Sequence, residues 1–366
     1  MTVYLFAGGG TAGHVNPLLA VADRLREREP DSEVLVLGTK EGLERELVPT
    51  RGYELLTIAK LPFPRHPNLD ALRFLPRFAR AVRQVRAIIR DRGVTAVVGF
   101  GGYASAPAYV AAKRENVPLI IHEANAMPGM ANKLGARSTP WLGSAYANAK
   151  FAGARHVGMP LRTEITSLDR SALRGSARAK FGLDPDRQCL LVTGGSQGAR
   201  AINRAIVTAA PQIVAAGWQI LHLSGGRQTD FEPATVEHYT AVTYVEHMHF
   251  ALAAADFVVC RAGSLTVSEL MAVGLPAVYV PLPFGNGEQG LNAADQIDAG
   301  GALLVDNSAF TPEWIQTQLI PLLRDSERVK AMARASQRSA VLDGSERMYE
   351  LISEAVADGA HRSSAR

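Results

Sequence analysis

Short apolar runs rich in β-branched residues alternate along the chain with longer stretches whose apolar positions recur at helical spacing. Eight such runs predict strands, at residues 3–7, 33–37, 96–99, 118–122, 189–193, 219–223, 257–260 and 277–280. Strands that alternate with helices generally pair in a mostly parallel sheet with helices on both faces. The pattern therefore predicts an α/β fold.

The alternation is interrupted between residues 140 and 185, where Gly158, Met159 and Pro160 lie in a polar, arginine-containing stretch. A chain of 366 residues is longer than one hydrophobic core usually organises, so two domains are expected. We place the boundary after residue 161, which gives domains at 1–161 and 162–341. The polar tail at 358–366 is predicted to be disordered.

Each predicted half begins with a strand that runs into a glycine-rich turn and then a helix. Residues 8–14 spell GGGTAGH and residues 194–200 spell GGSQGAR. One such turn can be plain strand-to-helix packing, but it also presents the first N–H groups of a helix to an anion. Two of them suggest two Rossmann-like domains with a ligand in the cleft outside the carboxyl ends of both sheets. Neither turn is a full dinucleotide fingerprint or a P-loop, which argues against a nicotinamide dehydrogenase and a P-loop enzyme.

A third strand-to-helix turn follows the strand at 257–260 and has two interpretations. Ser264 and Thr266 are suitable N-cap residues, and Glu269 could complete a capping box from Thr266. Alternatively, Glu269 lies beside a phosphate-binding turn and takes two hydroxyls of a ribose.

Composition adds limits to the class of protein. A hydrophobic content of 47% with 20% charged residues is that of a soluble globular chain. Cys189 and Cys260 each lie in an apolar run, so they provide no disulfide framework and favour a reducing compartment. The first ten residues resemble a strand rather than a signal peptide, and no run of eighteen apolar residues predicts a membrane span.

The positive charge is concentrated in one segment. Lysine and arginine exceed aspartate and glutamate by 39 to 35, which is a net charge of +4 and too small to indicate nucleic-acid binding. Residues 65–92 alone hold eight arginines against two aspartates, a local +6, with aromatic and aliphatic residues between them. Such a basic amphipathic helix is typical of a surface that sits on anionic lipid headgroups. An ordinary helix with a solvated basic face is the alternative.

Several motifs, spread in order from residue 7 to about residue 305, resemble those of one enzyme family. They are GGGTAGH-x-x-P, GFGGYASAP, HEANAMPGMANK, VGMPLRTE, VTGGSQGAR, CRAGSLTVSEL and GEQGLNA. The chain resembles the N-acetylglucosaminyltransferases of peptidoglycan synthesis, which make lipid II from lipid I. The resemblance implies the GT-B fold, in which two Rossmann-like domains with parallel sheets face each other across a cleft. It also implies a C-terminal helix, at about 342–357, that packs back on the first domain.

The same resemblance implies the substrates and the location. UDP-N-acetylglucosamine would be the donor, and O4 of the muramic acid unit of undecaprenyl-linked lipid I would be the acceptor. No cofactor or metal is required, and no nucleic acid is expected as a partner. The protein would bind peripherally to the anionic surface at the cytoplasmic face of the cell membrane.

Site residues follow from the resemblance position by position. Ser196 would contact the diphosphate, Glu269 the ribose hydroxyls, and the main chain of Val245 the uracil. The expected donor-binding residues are Thr11, Ala12, Gly13, Asn125, Arg162, Ser196, Val245, Ser264, Leu265, Thr266, Val267, Ser268, Glu269, Gln289 and Asn292. Many members of the family carry glycine where Ala12 stands. The residues expected to face the acceptor or the membrane are Gly102, Tyr103, Arg73, Phe74, Arg77, Phe78 and Arg80.

Transfer from an α-linked sugar nucleotide to a β-linked product inverts the anomeric carbon, so one direct displacement is sufficient. His14 is the candidate base, because it follows a glycine-rich turn at a helix start and has an ordinary pKa of ~6.5. The alternative is that His14 binds a phosphate or caps the helix. No metal site is predicted, because Asp184-Pro185-Asp186 is typical of a turn and His222, His247 and His249 lack ligand spacing. His122 is expected to be structural.

Three other functions stay open at this stage. A UDP-N-acetylglucosamine 2-epimerase resembles this fold but needs no acceptor, and the basic segment and the HEANAMPGMANK motif argue against it. A GT-B glycosyltransferase could also act on another acceptor. The third is a nucleotide-binding module without catalysis, which the joint presence of His14, Glu269 and Gln289 disfavours.

Overall fold

The computed structural model describes residues 1–63, 69–195, 197–226, 231–284 and 287–364. Its contacts divide the chain into two compact units. The first consists of Met1–Arg162 and the C-terminal residues from Leu342 onward, and the second of Thr163–Val341.

The first unit contains a seven-stranded parallel sheet in the order β3-β2-β1-β4-β5-β6-β7. Successive side chains of a strand point to opposite faces. Leu5 accordingly packs into a cluster with residues of α3 and α4, whereas Tyr4 and Phe6 pack into a second cluster with residues of α1 and α16. The strands are β1 (Val3–Ala7), β2 (Glu33–Thr39), β3 (Glu54–Ile58), β4 (Ala96–Gly99), β5 (Leu119–Glu123), β6 (Trp141–Ser144) and β7 (Arg155–His156). The helices named here and below are α1 (Ala12–Arg28), α2 (Glu44–Thr50), α3 (Leu69–Asp91), α4 (Ser105–Glu115), α5 (Met130–Gly135) and α16 (Gly344–Ser364).

The second unit contains a six-stranded parallel sheet in the order β10-β9-β8-β11-β12-β13. Its core holds Leu190, Ile220 and Phe257, together with the inner face of the helix that follows β8. The strands are β8 (Gln188–Thr193), β9 (Trp218–Leu223), β10 (Tyr239–Val242), β11 (Phe257–Cys260), β12 (Ala277–Tyr279) and β13 (Ala302–Leu304). The helices are α6 (Thr163–Thr166), α7 (Arg170–Lys180), α8 (Arg200–Ala215), α9 (Met248–Ala254), α10 (Ser264–Ala272), α11 (Glu288–Asn292), α12 (Ala294–Asp298), α13 (Pro312–Trp314), α14 (Ile320–Arg324) and α15 (Ser326–Arg338). A 3-10 turn (Ala136–Ser138) and a π-helical turn (Ile315–Leu319) complete the described elements.

The α/β prediction is confirmed, and all eight predicted strands are present within one or two residues. The sequence pattern did not show β3, β6, β7, β10 and β13. Four of these, β3, β7, β10 and β13, lie at the lateral edges of the two sheets, where strands are less buried. A strand with little buried surface needs no apolar run, so the pattern that reveals central strands is missing there.

The C-terminal helix α16 packs on the first unit. Met348, Leu351 and Ile352 are buried in the cluster that holds Tyr4, and Glu346 forms an ion pair with Arg28 of α1. The helix continues to Ser364, so residues 358–364 are helical and the expectation of a disordered tail is wrong for them. In the parts of the chain that the structure describes, no helix combines the length and hydropathy of a membrane span.

We expect Leu351→Ala to lower the free energy of unfolding of the first unit by about 2–5 kcal/mol, because it removes a buried side chain and leaves a cavity. Glu350→Ala, one residue earlier on the exposed side of α16, should stay within about 0.5 kcal/mol of the parent. Urea unfolding followed by Trp141 fluorescence, with Trp218 and Trp314 replaced by Phe throughout, measures both. Equal unfolding midpoints for the two variants would contradict the packing of α16.

Candidate active site

The first glycine-rich turn lies at the carboxyl end of β1 and leads into α1. Thr11 precedes the helix in extended conformation, and its side chain makes no capping hydrogen bond to the helix backbone. His14 therefore lies in the first turn of α1, with its backbone N–H donating to the Thr11 carbonyl oxygen at 3.1 Å. The His14 Nδ1 atom is 3.3 Å from Thr11 Oγ1.

The ring of His14 rests against a second glycine turn, which follows β4. A Cβ placed on Gly101, whose φ is +86°, would be 3.2 Å from the imidazole, so a side chain there would strain the turn and crowd the ring. Burial lowers the pKa of His14 below its ordinary value of 6.5, while Glu123, the Gly9 backbone and Glu44 act in the opposite direction. Because the lowering dominates, His14 is largely neutral at pH 7 and its imidazole is able to accept a proton.

Glu123 ends β5 and organises the loop that carries Asn125. Its buried carboxylate accepts hydrogen bonds from the backbone N–H of Asn125 at 2.9 Å, from that of Gly129 at 2.9 Å and from Asn132 Nδ2 at 2.8 Å. Asn132 in turn accepts a hydrogen bond from the Tyr109 hydroxyl at 2.7 Å. No role for Glu123 or Asn132 is predicted from the sequence, although a carboxylate two residues before Asn125 at a strand end was a signal for one.

Two further residues of the first unit, His122 and Tyr103, have distinct environments. His122 is fully buried, with Nε2 3.0 Å from the Gly158 carbonyl oxygen, and burial lowers the pKa of its imidazole to about 4. This is the environment of a structural histidine.

Tyr103 follows Gly102 and is 37% exposed, with the Lys60 ammonium 5.2 Å from its ring centre. Its ring is thus accessible next to the turn that supports His14.

The second unit repeats the arrangement at the carboxyl end of β8. Gly195 donates its N–H to Thr193 Oγ1 at 3.2 Å, and Gly198 donates to the Gly195 carbonyl oxygen at 3.0 Å. A Cβ on Gly194 would overlap the backbone of Ala199, so glycine is needed for this tight turn. Ser196, expected at the diphosphate, lies outside the described residues.

Helix α10 begins at Ser264, and its N-cap is Gly263, which makes no side-chain capping bond. The expectation that Ser264 or Thr266 caps the helix, with Glu269 completing a capping box, is therefore wrong. Extended backbone at Gly263 lets the helix begin earlier, which places both residues inside its first turn. The start of a helix favours an anion there. Glu269 is buried in the second turn, among the expected donor residues Leu265, Val267 and Ser268.

Helix α11 brings Gln289 and Asn292 to the same end of the second sheet. Asn292 is buried and donates from Nδ2 to the Ala262 carbonyl oxygen at 3.3 Å, directly before the start of α10. Gln289 Oε1 accepts from the Leu282 backbone N–H at 2.9 Å, beyond the carboxyl end of β12. Val245 follows β10 at this end as well. Of the expected donor residues, Thr11–Gly13, Asn125 and Arg162 belong to the first unit and the others to the second.

The basic segment divides into two parts in the structure. The last three arginines of the segment are paired with acidic groups: Arg86 and Arg90 with Glu115, and Arg92 with Glu33 and Glu54. In contrast, Arg73, Arg77 and Arg80 on α3 are exposed, and Leu75 among them is 71% exposed. Phe74 and Phe78 are half-buried and stack with ring centres 5.5 Å apart. The local +6 thus reduces to a smaller basic patch, and Arg65 lies outside the described residues.

Asp184-Pro185-Asp186 forms a turn in the structure. Asp184 accepts hydrogen bonds from the backbone N–H groups of Asp186 and Arg187 at 2.8 and 3.2 Å, which is the geometry of an Asx turn. Within the described ranges, histidine, cysteine and acidic side chains form no group of three that could hold a metal ion.

Two parallel α/β units, each with a glycine-rich turn at the carboxyl end of its sheet, are the architecture of the GT-B fold, to which many glycosyltransferases belong. The model of the glycosyltransferase family 28 N-terminal domain matches residues 4–139, and that of the family 28 C-terminal domain matches residues 189–348. The chain belongs to glycosyltransferase family 28.

Several curated relatives share the name UDP-N-acetylglucosamine--N-acetylmuramyl-(pentapeptide) pyrophosphoryl-undecaprenol N-acetylglucosamine transferase. The protein of that name from Leifsonia xyli subsp. xyli is 58% identical over 352 residues, which covers 96% of this chain and 98% of the relative. Its counterpart from Streptomyces coelicolor is 47% identical and covers 98% of this chain and 99% of the relative.

Solved structures agree on the fold. The crystal structure of MurG from Acinetobacter baumannii is similar with a TM-score of 0.77 and 28% identity, covering 97% of this chain and all of the other. A UDP-N-acetylglucosamine 2-epimerase from Neisseria meningitidis has a TM-score of 0.69 at 14% identity, with 97% and 100% coverage, which shows a shared fold alone.

The pKa of His14 can be measured by NMR in protein labelled at histidine, and we expect a value below 6.5 because of burial. Glu123→Gln should lower this pKa further, because Glu123 is the strongest of the groups that favour the protonated ring. Glu350→Gln, on the exposed face of α16, is the control and should leave the titration unchanged. A higher His14 pKa in Glu123→Gln would contradict this account.

Proposed function

We propose that this protein transfers N-acetylglucosamine from UDP-N-acetylglucosamine to O4 of the muramic acid of undecaprenyl-linked lipid I, giving lipid II. Relatives that are 47–58% identical to this chain over nearly its whole length carry the name of this transferase. The single observation that carries the chemistry is the position of His14 in the first turn of α1, against the glycine turn after β4, where burial lowers the pKa of its imidazole.

The reaction on this account is one displacement with inversion. His14 accepts the proton of the acceptor hydroxyl as that oxygen attacks the anomeric carbon, and UDP leaves with the bonding electron pair. The backbone N–H groups at the start of α10, Ser264–Thr266, and the side chain of Ser196 stabilise the diphosphate. Glu269 binds the ribose hydroxyls and the main chain of Val245 binds the uracil. The remaining sugar and diphosphate contacts come from Thr11, Ala12, Gly13, Asn125, Arg162, Gln289 and Asn292.

The 2-epimerase is the second candidate, because enzymes of that name share the fold. It needs no acceptor and is supported by far lower sequence identity, 14% against 58%. The transferase is therefore the better supported of the two functions.

We also propose that the basic patch on α3 holds the protein on anionic lipid at the cytoplasmic face of the membrane. Arg73, Arg77 and Arg80 provide the charge, and the exposed Leu75 provides apolar surface. Gly102 and Tyr103 would meet the acceptor. A lipid-linked acceptor makes such a location useful, because the reacting sugar is tethered to the bilayer.

The transfer assay combines labelled UDP-N-acetylglucosamine with a lipid I analogue and follows label in the lipid and release of UDP. We expect acceptor-dependent release, and His14→Ala should lower kcat by roughly 100- to 10,000-fold, the usual contribution of a general base. UDP binding by calorimetry should persist in this variant. His156→Ala, an exposed histidine on β7, is the control. UDP release or epimerised donor without acceptor would reject the transferase, and full activity of His14→Ala would reject the base.

Vesicle sedimentation tests the lipid-binding patch. Each cation near an anionic surface contributes about 1 kcal/mol, so Arg73→Gln with Arg77→Gln should weaken binding to phosphatidylglycerol-containing vesicles roughly thirtyfold. Arg334→Gln with Arg338→Gln makes the same charge change at the same spacing on exposed positions of α15 and should have little effect. High salt should release the parent protein. Equal binding to neutral vesicles would contradict the proposal.

A further inference from the structure

One buried carboxylate, that of Glu44, is hydrogen-bonded to the first glycine turn and is not among the site residues predicted from the sequence. Glu44, the first residue of α2, is 0% exposed. It accepts hydrogen bonds from the Gly10 backbone N–H at 2.7 Å and from the backbone N–H and the hydroxyl of Thr39, both at 2.8 Å. All three partners donate, so the site is matched to a carboxylate.

The space around this carboxylate is formed by glycine. A Cβ on Gly9, Gly38 or Gly42 would overlap the Glu44 side chain. Burying a carboxylate in such a tight pocket is costly unless its hydrogen bonds are satisfied, and here the backbone of the turn supplies one of them. The position of the carboxylate and the shape of the turn therefore depend on each other.

The first glycine turn also supports the second glycine turn, which follows β4. A Cβ on Gly102 would be only 2.5 Å from the Gly9 carbonyl oxygen, so the two backbones are in direct contact. From the other side, Ser105 Oγ lies 2.9 Å from the Ala7 carbonyl oxygen and 2.7 Å from that of Gly101. The His14 ring rests on Gly101.

We propose that Glu44 is a positioning residue for the transfer reaction: its carboxylate fixes Gly9 and Gly10, and through them the turn at Gly101 and Gly102 against which His14 is held. The inference rests on the proposed function only for its kinetic consequence. Glu44 does not contact the reacting atoms on this account. Its negative charge also favours protonation of His14, together with that of Glu123.

The variant Glu44→Gln keeps the size of the side chain and places an amide NH₂ group among three donors. Glu46→Gln makes the same change on the exposed side of α2 and is the matched control. Because a displacement of about 1 Å can cost about 100-fold in rate, we expect kcat of Glu44→Gln to fall about 100-fold. The KM for UDP-N-acetylglucosamine should change less than about threefold, since most of its expected contacts lie in the other unit.

Hydrogen–deuterium exchange provides a readout that needs no activity. Amides of residues 8–14 and 100–104 should exchange faster in Glu44→Gln than in the parent, while Glu46→Gln matches the parent. If Glu44→Gln does not fold, Thr39→Val removes one donor only and should give a smaller fall in kcat with the same faster exchange.

The outcomes separate the two proposals. A parent protein that transfers no sugar, with faster exchange in Glu44→Gln, would reject the function but retain the anchoring role of Glu44. Normal kcat in Glu44→Gln, or unchanged exchange in both segments, would overturn the inference. A rise in KM for the donor with unchanged kcat would overturn it as well, because that is the signature of altered donor binding.

Discussion

Direct contact between two segments of backbone is the constraint on which the candidate active site depends. The turn at Gly102 packs on the carbonyl oxygen of Gly9, with no room for a side chain between them. Such a contact has no side-chain packing of its own, so its geometry depends on groups that hold each turn from outside. Ser105 provides this on one side and the Glu44 carboxylate on the other.

The protonation of His14 reflects the same arrangement. Burial disfavours the imidazolium ion, whereas the carboxylates of Glu123 and Glu44 favour it, and burial is the larger effect. A histidine that is neutral but close to anions has two properties that suit the proposed role of a base. It is ready to accept a proton at pH 7, and the carboxylates stabilise the imidazolium ion that then forms.

The second unit uses main-chain groups for a different purpose. The beginnings of α8 and α10 both lie at the carboxyl end of one parallel sheet, and Asn292 ties α11 to the backbone just before α10. The free N–H groups at the N-terminus of a helix favour an anion, so no buried positively charged side chain is needed there. This suits a diphosphate that gains negative charge as it leaves. The first unit thus holds the candidate base, and the second provides the expected environment for the leaving group.

The sequence by itself determined the α/β class, the eight strands recognised from apolar runs, the glycine turns and the position of His14. These features depend on local patterns: a buried strand needs an apolar run, and a sharp turn needs glycine. The apolar pattern did not reveal the edge strands β3 and β10, because little of their surface is buried. The capping interpretation of Thr266 failed, because extended backbone at Gly263 starts the helix earlier.

Only the tertiary structure decided which charged groups act together. Glu44 and Glu123 are 79 positions apart in the sequence, yet both affect the pKa of His14, which no local pattern reveals. Likewise, Glu115 and Glu54 form ion pairs with arginines that the sequence pattern assigns to one basic surface. Electrostatic effects depend on distance in space and on burial, and both are set when distant segments pack together. The sequence shows which residues are present, whereas folding determines which carboxylates are buried beside the histidine and which arginines remain exposed.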